Sequence, residues 1–225
     1  MQQIRSSDAA AVLTDPTFVV PPVAAATSGV AWLRATVARF GTGDAHARRR
    51  ALAVALLAAI PPESLRDAAA DHPVAARTPA LGIDAPVVAL VEDVAQAYQP
   101  STGDEGRADA AVERLVTLCG GVRDETTAAR IGLLVQACRA TADLIDRCRS
   151  APIDEVLRDR PPAPTTKRQA LVAARVGDVT IEAGEVVAVP LAGDLAFGAG
   201  PHRCPGRAHA LALVEGALGA DGGAG

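Results

Sequence analysis

Aromatic residues are nearly missing from this 225-residue chain: one Trp, one Tyr and three Phe make up 2% of it. Apolar residues are nonetheless plentiful at 49%, so a core must be built from Ala, Val, Leu and Ile. Lysine is almost absent as well. Lys167 is the only one while arginine is frequent, a bias that points to GC-rich coding more than to a physical demand. A net charge of −4 gives no electrostatic reason to expect nucleic-acid binding. Long apolar runs are also lacking, and the longest, Ala51–Ile60, falls short of the ~20 residues that span a bilayer. The start, M-Q-Q-I-R-S-S-D, has neither the charged nor the apolar region of a secretory signal, so a cytoplasmic protein with no membrane anchorage is expected. Cys119, Cys138, Cys148 and Cys204 show no paired spacing, and a reducing compartment would keep them as thiols. The length suits a single domain over 1–225, with flexible segments expected at Asp221–Gly225 and Gln99–Gly106.

What the chain does contain is one unusual stretch, Phe197–Gly206, reading F-G-A-G-P-H-R-C-P-G and followed by an Ala- and Leu-rich helical segment. Gly198, Gly200 and Gly206 allow positive-φ turns that bring backbone N–H groups close to whatever the Cys204 sulfur touches. A thiolate is the metal-binding form of cysteine, and a helix starting near Pro205 would stabilise its charge. His202, Cys204 and His209 could alternatively bind zinc, but structural zinc takes four ligands and no fourth is apparent.

The stretch resembles the haem-binding loop of the cytochrome P-450 family, F-G-x-G-x-H-x-C-x-G, with every specified position matched. The resemblance implies haem b, with Cys204 as the axial thiolate to iron. It also implies a mainly α fold with a small β-sheet, here contracted to about half the usual length.

Four further blocks fit in order. Ser7-Asp8 caps a short helix over Ala9–Leu13, ended by Asp15-Pro16, and A-A-A-V-L-T-D-P-T-F is similar to an early family segment. In G-D-A-H-A-R-R-R-A-L, His46 and Arg50 share a helix face. Such a face is commonly just solvated, whereas the resemblance assigns both residues to a haem propionate. Pro61-Pro62 ends that helix, Glu63–Asp71 starts another, and helices are expected over 87–98 and 107–118, separated by P-S-T-G-D-E-G. This region corresponds to a shortened roof over the substrate pocket.

Asp124 caps a helix to about Cys148, with an apolar stripe of Ile131, Leu134, Val135, Cys138, Ala142 and Ile145. Its L-L-V-Q-A-C-R-A-T-A-D-L-I is similar to the family's central distal helix. Arg139 stands at the acid position, Ala140 at that of the first threonine, and Thr141 remains; Arg139 and Thr141 are the candidate catalytic residues. Next, a helix capped by Ser150 with Pro152 in its first turn carries Glu155 and Arg158. An i, i+3 pair is ordinarily a surface pair, but it matches the family's structural E-x-x-R. Strands follow over Ala173–Val176, Val179–Ile181 and Glu185–Val189. Here the resemblance implies that Arg168 reaches a propionate and that Leu171 and Val172 line the pocket. Only P-L-A-G-D-L-A then leads to Phe197, so the family's meander is missing.

Together these imply that His46, Arg50, Arg168 and His202 neutralise the propionates, that Phe197 shields the sulfur, and that Gly198 and Gly206 shape the loop. The implied activity is oxidation of a small bacterial metabolite, of the secondary-metabolism type, as a monooxygenase supplied by ferredoxin. One alternative is a peroxide-using enzyme in which Arg139 binds a substrate carboxylate. Another is a non-catalytic haem-binding or scaffold protein of the same fold. The deletions would favour a homodimer or a partner subunit.

Overall fold

The structure, a computed structural model, describes residues 1–67 and 72–222. In chain order the elements are β1 (Gln2–Gln3), α1 (Ala9–Thr14), β2 (Phe18–Val19), α2 (Gly29–Thr36), α3 (Gly43–Ala58), α4 (Pro62–Arg66), α5 (Val88–Gln96) and α6 (Glu105–Leu118). Then follow α7 (Glu125–Cys148), α8 (Ile153–Asp159), β3 (Thr165–Ala170), β4 (Ala174–Val176), β5 (Val179–Ile181), β6 (Val186–Pro190) and α9 (Arg207–Gly222). The mainly α class with small sheets is as expected. The chain divides into two compact units: Met1–Pro22 with Ser150–Cys204, and Val23–Arg149 with Pro205–Gly225.

The first unit is built on a four-stranded sheet in the order β1-β6-β3-β2. β6 and β3 are antiparallel, with Arg168 opposite Val187, while β1 joins β6 in parallel with Gln2 opposite Val187. β4 and β5 form a separate hairpin. The β-branched run of β6 buries Val187 and Val189 against Ile4, Val12, Leu13, Phe18 and Ile181, which form this unit's own core. Ser6–Asp8 form a 3₁₀ turn leading into α1, and the Asp8 side chain makes no cap hydrogen bond, contrary to the cap expected there. Likewise Pro152, not Ser150, holds the N-cap position of α8, its carbonyl accepting from the Val156 N–H at 3.0 Å.

The second unit is helical around a core that includes Leu33, Val91, Leu115, Ile131 and Leu134. Asp124 caps α7 as expected, its side chain accepting from the Thr127 N–H at 2.7 Å. The apolar stripe of α7 is buried at Ile131, Leu134, Val135 and Cys138. Beyond Cys138 the buried face moves to Thr141, Leu144 and Cys148, leaving Ala142 and Ile145 half-buried. Two successive three-residue steps turn the stripe around the helix, because each falls short of the 3.6-residue repeat.

Ser28 stands at the N-cap of α2, a residue type that suits the place, yet its side chain makes no cap hydrogen bond. The N-terminus of α2 is capped from α6 instead: Val30 N–H donates to Asp109 at 2.8 Å and Gly29 N–H to Glu113 at 3.2 Å. The stretch expected to be flexible at Gln99–Gly106 is held in place. The Gln96 side chain accepts from the Asp104 N–H at 2.7 Å and donates to the Asp104 carbonyl at 2.8 Å, and Asp104 caps α6. Of the helix expected over Glu63–Asp71, α4 covers the first part; residues 68–71 lie outside the described residues. α9 reaches Gly222, so it includes the first two residues of the expected tail, and 223–225 lie outside the description.

Candidate functional site

The Phe197–Gly206 loop folds through two left-handed glycines, Gly198 at φ 74° and Gly200 at φ 65°, then a 3₁₀ turn over Gly200–His202. It closes on itself where the Cys204 N–H donates to the Phe197 carbonyl at 2.8 Å, and Cys204 is exposed. Gly206 is not left-handed; it precedes α9 and its carbonyl accepts the first bond of that helix, from the Ala210 N–H at 2.9 Å. The helix thus starts at Arg207, two residues later than Pro205 suggested. The boundary between the two units falls between Cys204 and Pro205.

Gly200 is held against α1: a Cβ there would sit 2.5 Å from the Leu13 carbonyl oxygen. Gly200→Ala therefore combines a left-handed backbone, costing ~1–2 kcal/mol, with a main-chain clash. We expect a loss of about 2–4 kcal/mol, read by chemical denaturation. A loss below ~0.5 kcal/mol would show that the loop is not seated on α1 as described.

Other sequence-derived residues are distributed over both units. Arg168 is 4% exposed on β3, donating to the Lys167 carbonyl at 2.8 Å. Phe197 and His202 are half-buried on the same unit as Cys204. On the helical unit, His46 is 6% exposed and lies one turn from Arg50 on α3. Burial, and secondarily the charge of Arg50, lower the His46 pKa, so its imidazole is neutral at neutral pH.

The other two arginines of the run have a separate task that local sequence gave no sign of. Arg48 grips Glu125 with two hydrogen bonds of 2.8 Å and Arg49 adds a third of 2.8 Å, joining α3 to the first turn of α7. These bonds hold the Glu125 carboxyl at about 2, below its ordinary 4.5. Because the folded-state value is depressed, the stabilisation is complete above pH 4.5 and is lost as pH falls toward 2. Allowing for partial solvent screening, about 1–2 kcal/mol should disappear over that window, and Glu125→Gln should flatten this part of a melting-temperature profile. An unchanged acid limb in the variant would contradict it.

On α7, Arg139 is exposed and lines a cavity of about 490 Å³ within the helical unit. The same lining carries Glu92, Asp93, Asp104 and Asp143, against Arg139 and Arg107 as cations. Arg107 already binds Asp93 at 2.5 Å. Thr141 does not join Arg139: it is 4% exposed on the buried stripe, about 200° around the helix. Cys138 also reaches the cavity, yet burial pushes its thiol up to about 11, which makes it an inert neutral group.

The E-x-x-R pairing is not formed. Among the described residues Arg158 pairs with its neighbour Asp159 at 3.3 Å, and Glu155 and Arg158 are both exposed on α8. Exposed pairs of this kind contribute little, and without a meander there is nothing to bury them. Leu171 and Val172 are 57% and 53% exposed. The zinc alternative finds no support, since His209 directs Nε2 at two carbonyl oxygens, and no metal-holding group of three or more His, Cys, Asp or Glu occurs among the described residues. Nor is any helix among the described residues long and apolar enough to cross a membrane.

No family model and no curated protein matches the chain. Solved structures do match. Cytochrome P-450 BioI, in complex with acyl carrier protein ligated to hexadec-9Z-enoic acid, superimposes with a TM-score of 0.70 at 17% identity, over 96% of this chain and 82% of that one. Cytochrome P-450 TxtC, which performs thaxtomin hydroxylation, gives 0.66 at 17% identity over 96% and 82%. The cytochrome P-450 CYP109B1 from Bacillus subtilis gives 0.65 at 16% identity over 96% and 84%. At these identities the likeness is one of fold. The chain has the cytochrome P-450 fold, in a contracted form of 225 residues.

Proposed function

We propose that this protein binds haem through the Cys204 thiolate and oxidises a small molecule. The observation that carries the reading is the closed loop, in which two left-handed glycines and the Cys204 to Phe197 backbone bond leave the Cys204 side chain exposed. The donor set suits haem b chemically: one sulfur for iron, and a set of nitrogen donors for two propionates.

Each residue then has a defined task. Cys204 would hold the iron through its sulfur. Arg50, Arg168 and His202 would hold the propionates, and His46 would donate a ring N–H to one of them. Phe197 excludes water from the sulfur. Bound haem with a thiolate ligand would supply oxygen activation, the overall reaction consuming dioxygen, two electrons and two protons to give hydroxylated substrate and water. Ferredoxin is the reductant this reading implies.

The distal side has no acid and hydroxyl on one face, since Arg139 is exposed, Ala140 is apolar and Thr141 is buried. Peroxide use, with Arg139 binding a substrate carboxylate, is less well supported. The four carboxylates of the cavity outnumber its two guanidiniums and repel an anion.

The test is reconstitution with haem, reduction and exposure to carbon monoxide. An absorption maximum of the thiolate-bound type is expected. A protein that takes up no haem would overturn the reading and leave the scaffold alternative.

A further inference from the structure

His209 stands in the first half of α9, the helix that follows Cys204 after Pro205 and Gly206, and it is 7% exposed. Its Nε2 lies 3.1 Å from the Leu57 carbonyl oxygen and 2.8 Å from that of Ile60. Both facing atoms are acceptors, so Nε2 carries the hydrogen and donates to the two. Nδ1 is then the lone-pair nitrogen, and it is buried with no hydrogen-bond partner among the described residues.

The two carbonyls belong to the C-terminal end of α3, where a helix leaves its last C=O groups unsatisfied. Ile60 N–H already donates to Leu57 at 3.0 Å to close that turn, and His209 completes it from a different helix, about 150 residues away in sequence. α3 is the helix that bears His46 and Arg50. A single imidazole thus joins the element carrying the propionate donors to the element that begins just after the sulfur ligand. A leucine here would fill the volume and supply no donor. The buried, unmatched Nδ1 is a cost that packing alone does not explain.

We infer that His209 is a positioning residue for the haem site: it registers the start of α9, the helix that follows Cys204 in the chain, against the end of α3. The inference rests on the haem reading given above. It concerns the geometry of the sulfur ligand and requires no contact between His209 and haem.

Two measurements test it. In the haem-free protein, ¹⁵N NMR of the imidazole should show the Nε2–H form, with that proton slow to exchange; an Nδ1–H form would overturn the inference. In the haem-loaded protein, His209→Leu should shift part of the ferrous carbon monoxide spectrum from the thiolate-bound to the neutral-thiol form. It should also weaken haem affinity by about tenfold, as loss of an outer-shell partner does. His209→Gln, whose amide nitrogen reaches the place of Nε2, should restore both.

A residue that merely adds stability would lower the melting temperature and leave the spectrum of the folded variant alone. Identical spectra and affinities in wild type and His209→Leu would therefore overturn the positioning role. Should His209→Leu not fold, His209→Asn, too short to reach Ile60, takes its place with the same expected shift. If wild type binds no haem while NMR finds the Nε2–H form, the haem reading falls; His209 is then only a helix cap, and the positioning role is overturned with it.

Discussion

Cys204→Ala is expected to abolish the thiolate-type carbon monoxide spectrum completely while leaving the melting temperature nearly unchanged. Alanine keeps the main-chain bond that closes the loop, in which the Cys204 N–H donates to the Phe197 carbonyl at 2.8 Å. The Cys204 side chain is exposed, so truncation should cost no more than ~0.5 kcal/mol. No other thiol can substitute. Cys138 is pushed up to about 11, and burial likewise raises Cys119 and Cys148, so all three stay protonated at neutral pH. The two readouts separate the outcomes: a lost spectrum with an intact fold assigns the ligand, whereas a persisting spectrum would show that iron is held elsewhere.

Arg34→Met should be the most destabilising single change in the helical unit, by about 3–5 kcal/mol. Arg34 is 6% exposed on α2. Its guanidinium donates to the carbonyls of Ala97 and Tyr98, the latter at 3.1 Å, and pairs with Glu105 at 2.7 Å. It thereby closes the C-terminal end of α5 and the start of α6 with one planar group. Methionine fills similar volume but leaves buried carbonyls without a donor and Glu105 without its cation. Arg34→Lys should recover only a minor part, because an ammonium cannot reproduce the fork. Urea denaturation followed by the fluorescence of Trp32 is the direct measurement. Trp32 is the only tryptophan of the chain, 5% exposed and two residues from Arg34. A loss under ~1 kcal/mol would mean that the clamp is not formed in solution.

Features written in contiguous residues were legible in the sequence. The Gly198 and Gly200 turns, the Asp124 cap of α7 and the strands at Val179–Ile181 and Val186–Pro190 depend on neighbours a few positions away. What escaped depends on distant partners. α2 has no cap of its own because Asp109 and Glu113 provide it, and β2 is two residues that become a strand only by pairing with Gln169 and Ala170. The Glu125 clamp is of the same kind: three adjacent arginines look alike in sequence, and only the approach of α7 selects Arg48 and Arg49 for it. The E-x-x-R motif failed in the opposite direction. Its spacing is intact, but an ion pair forms where the surroundings favour it, and Arg158 turns to Asp159. For the same reason the Phe197–Gly206 loop could be read from residues, while the pocket beside Arg139 could not.

The pairing of β1 with β6 bears on how the chain folds as it is made. Gln2 waits for Val187, roughly 185 residues later, and the helical unit waits longer still for α9. At a synthesis rate of roughly 5–20 residues per second, the first strand remains without its neighbour for about 10–40 s. Neither unit can be finished on the ribosome before the last fifth of the chain has emerged, and both are then completed almost together. A nascent chain arrested before β6 should therefore be protease-sensitive in both units, and resistance should appear only once β6 and α9 have been made.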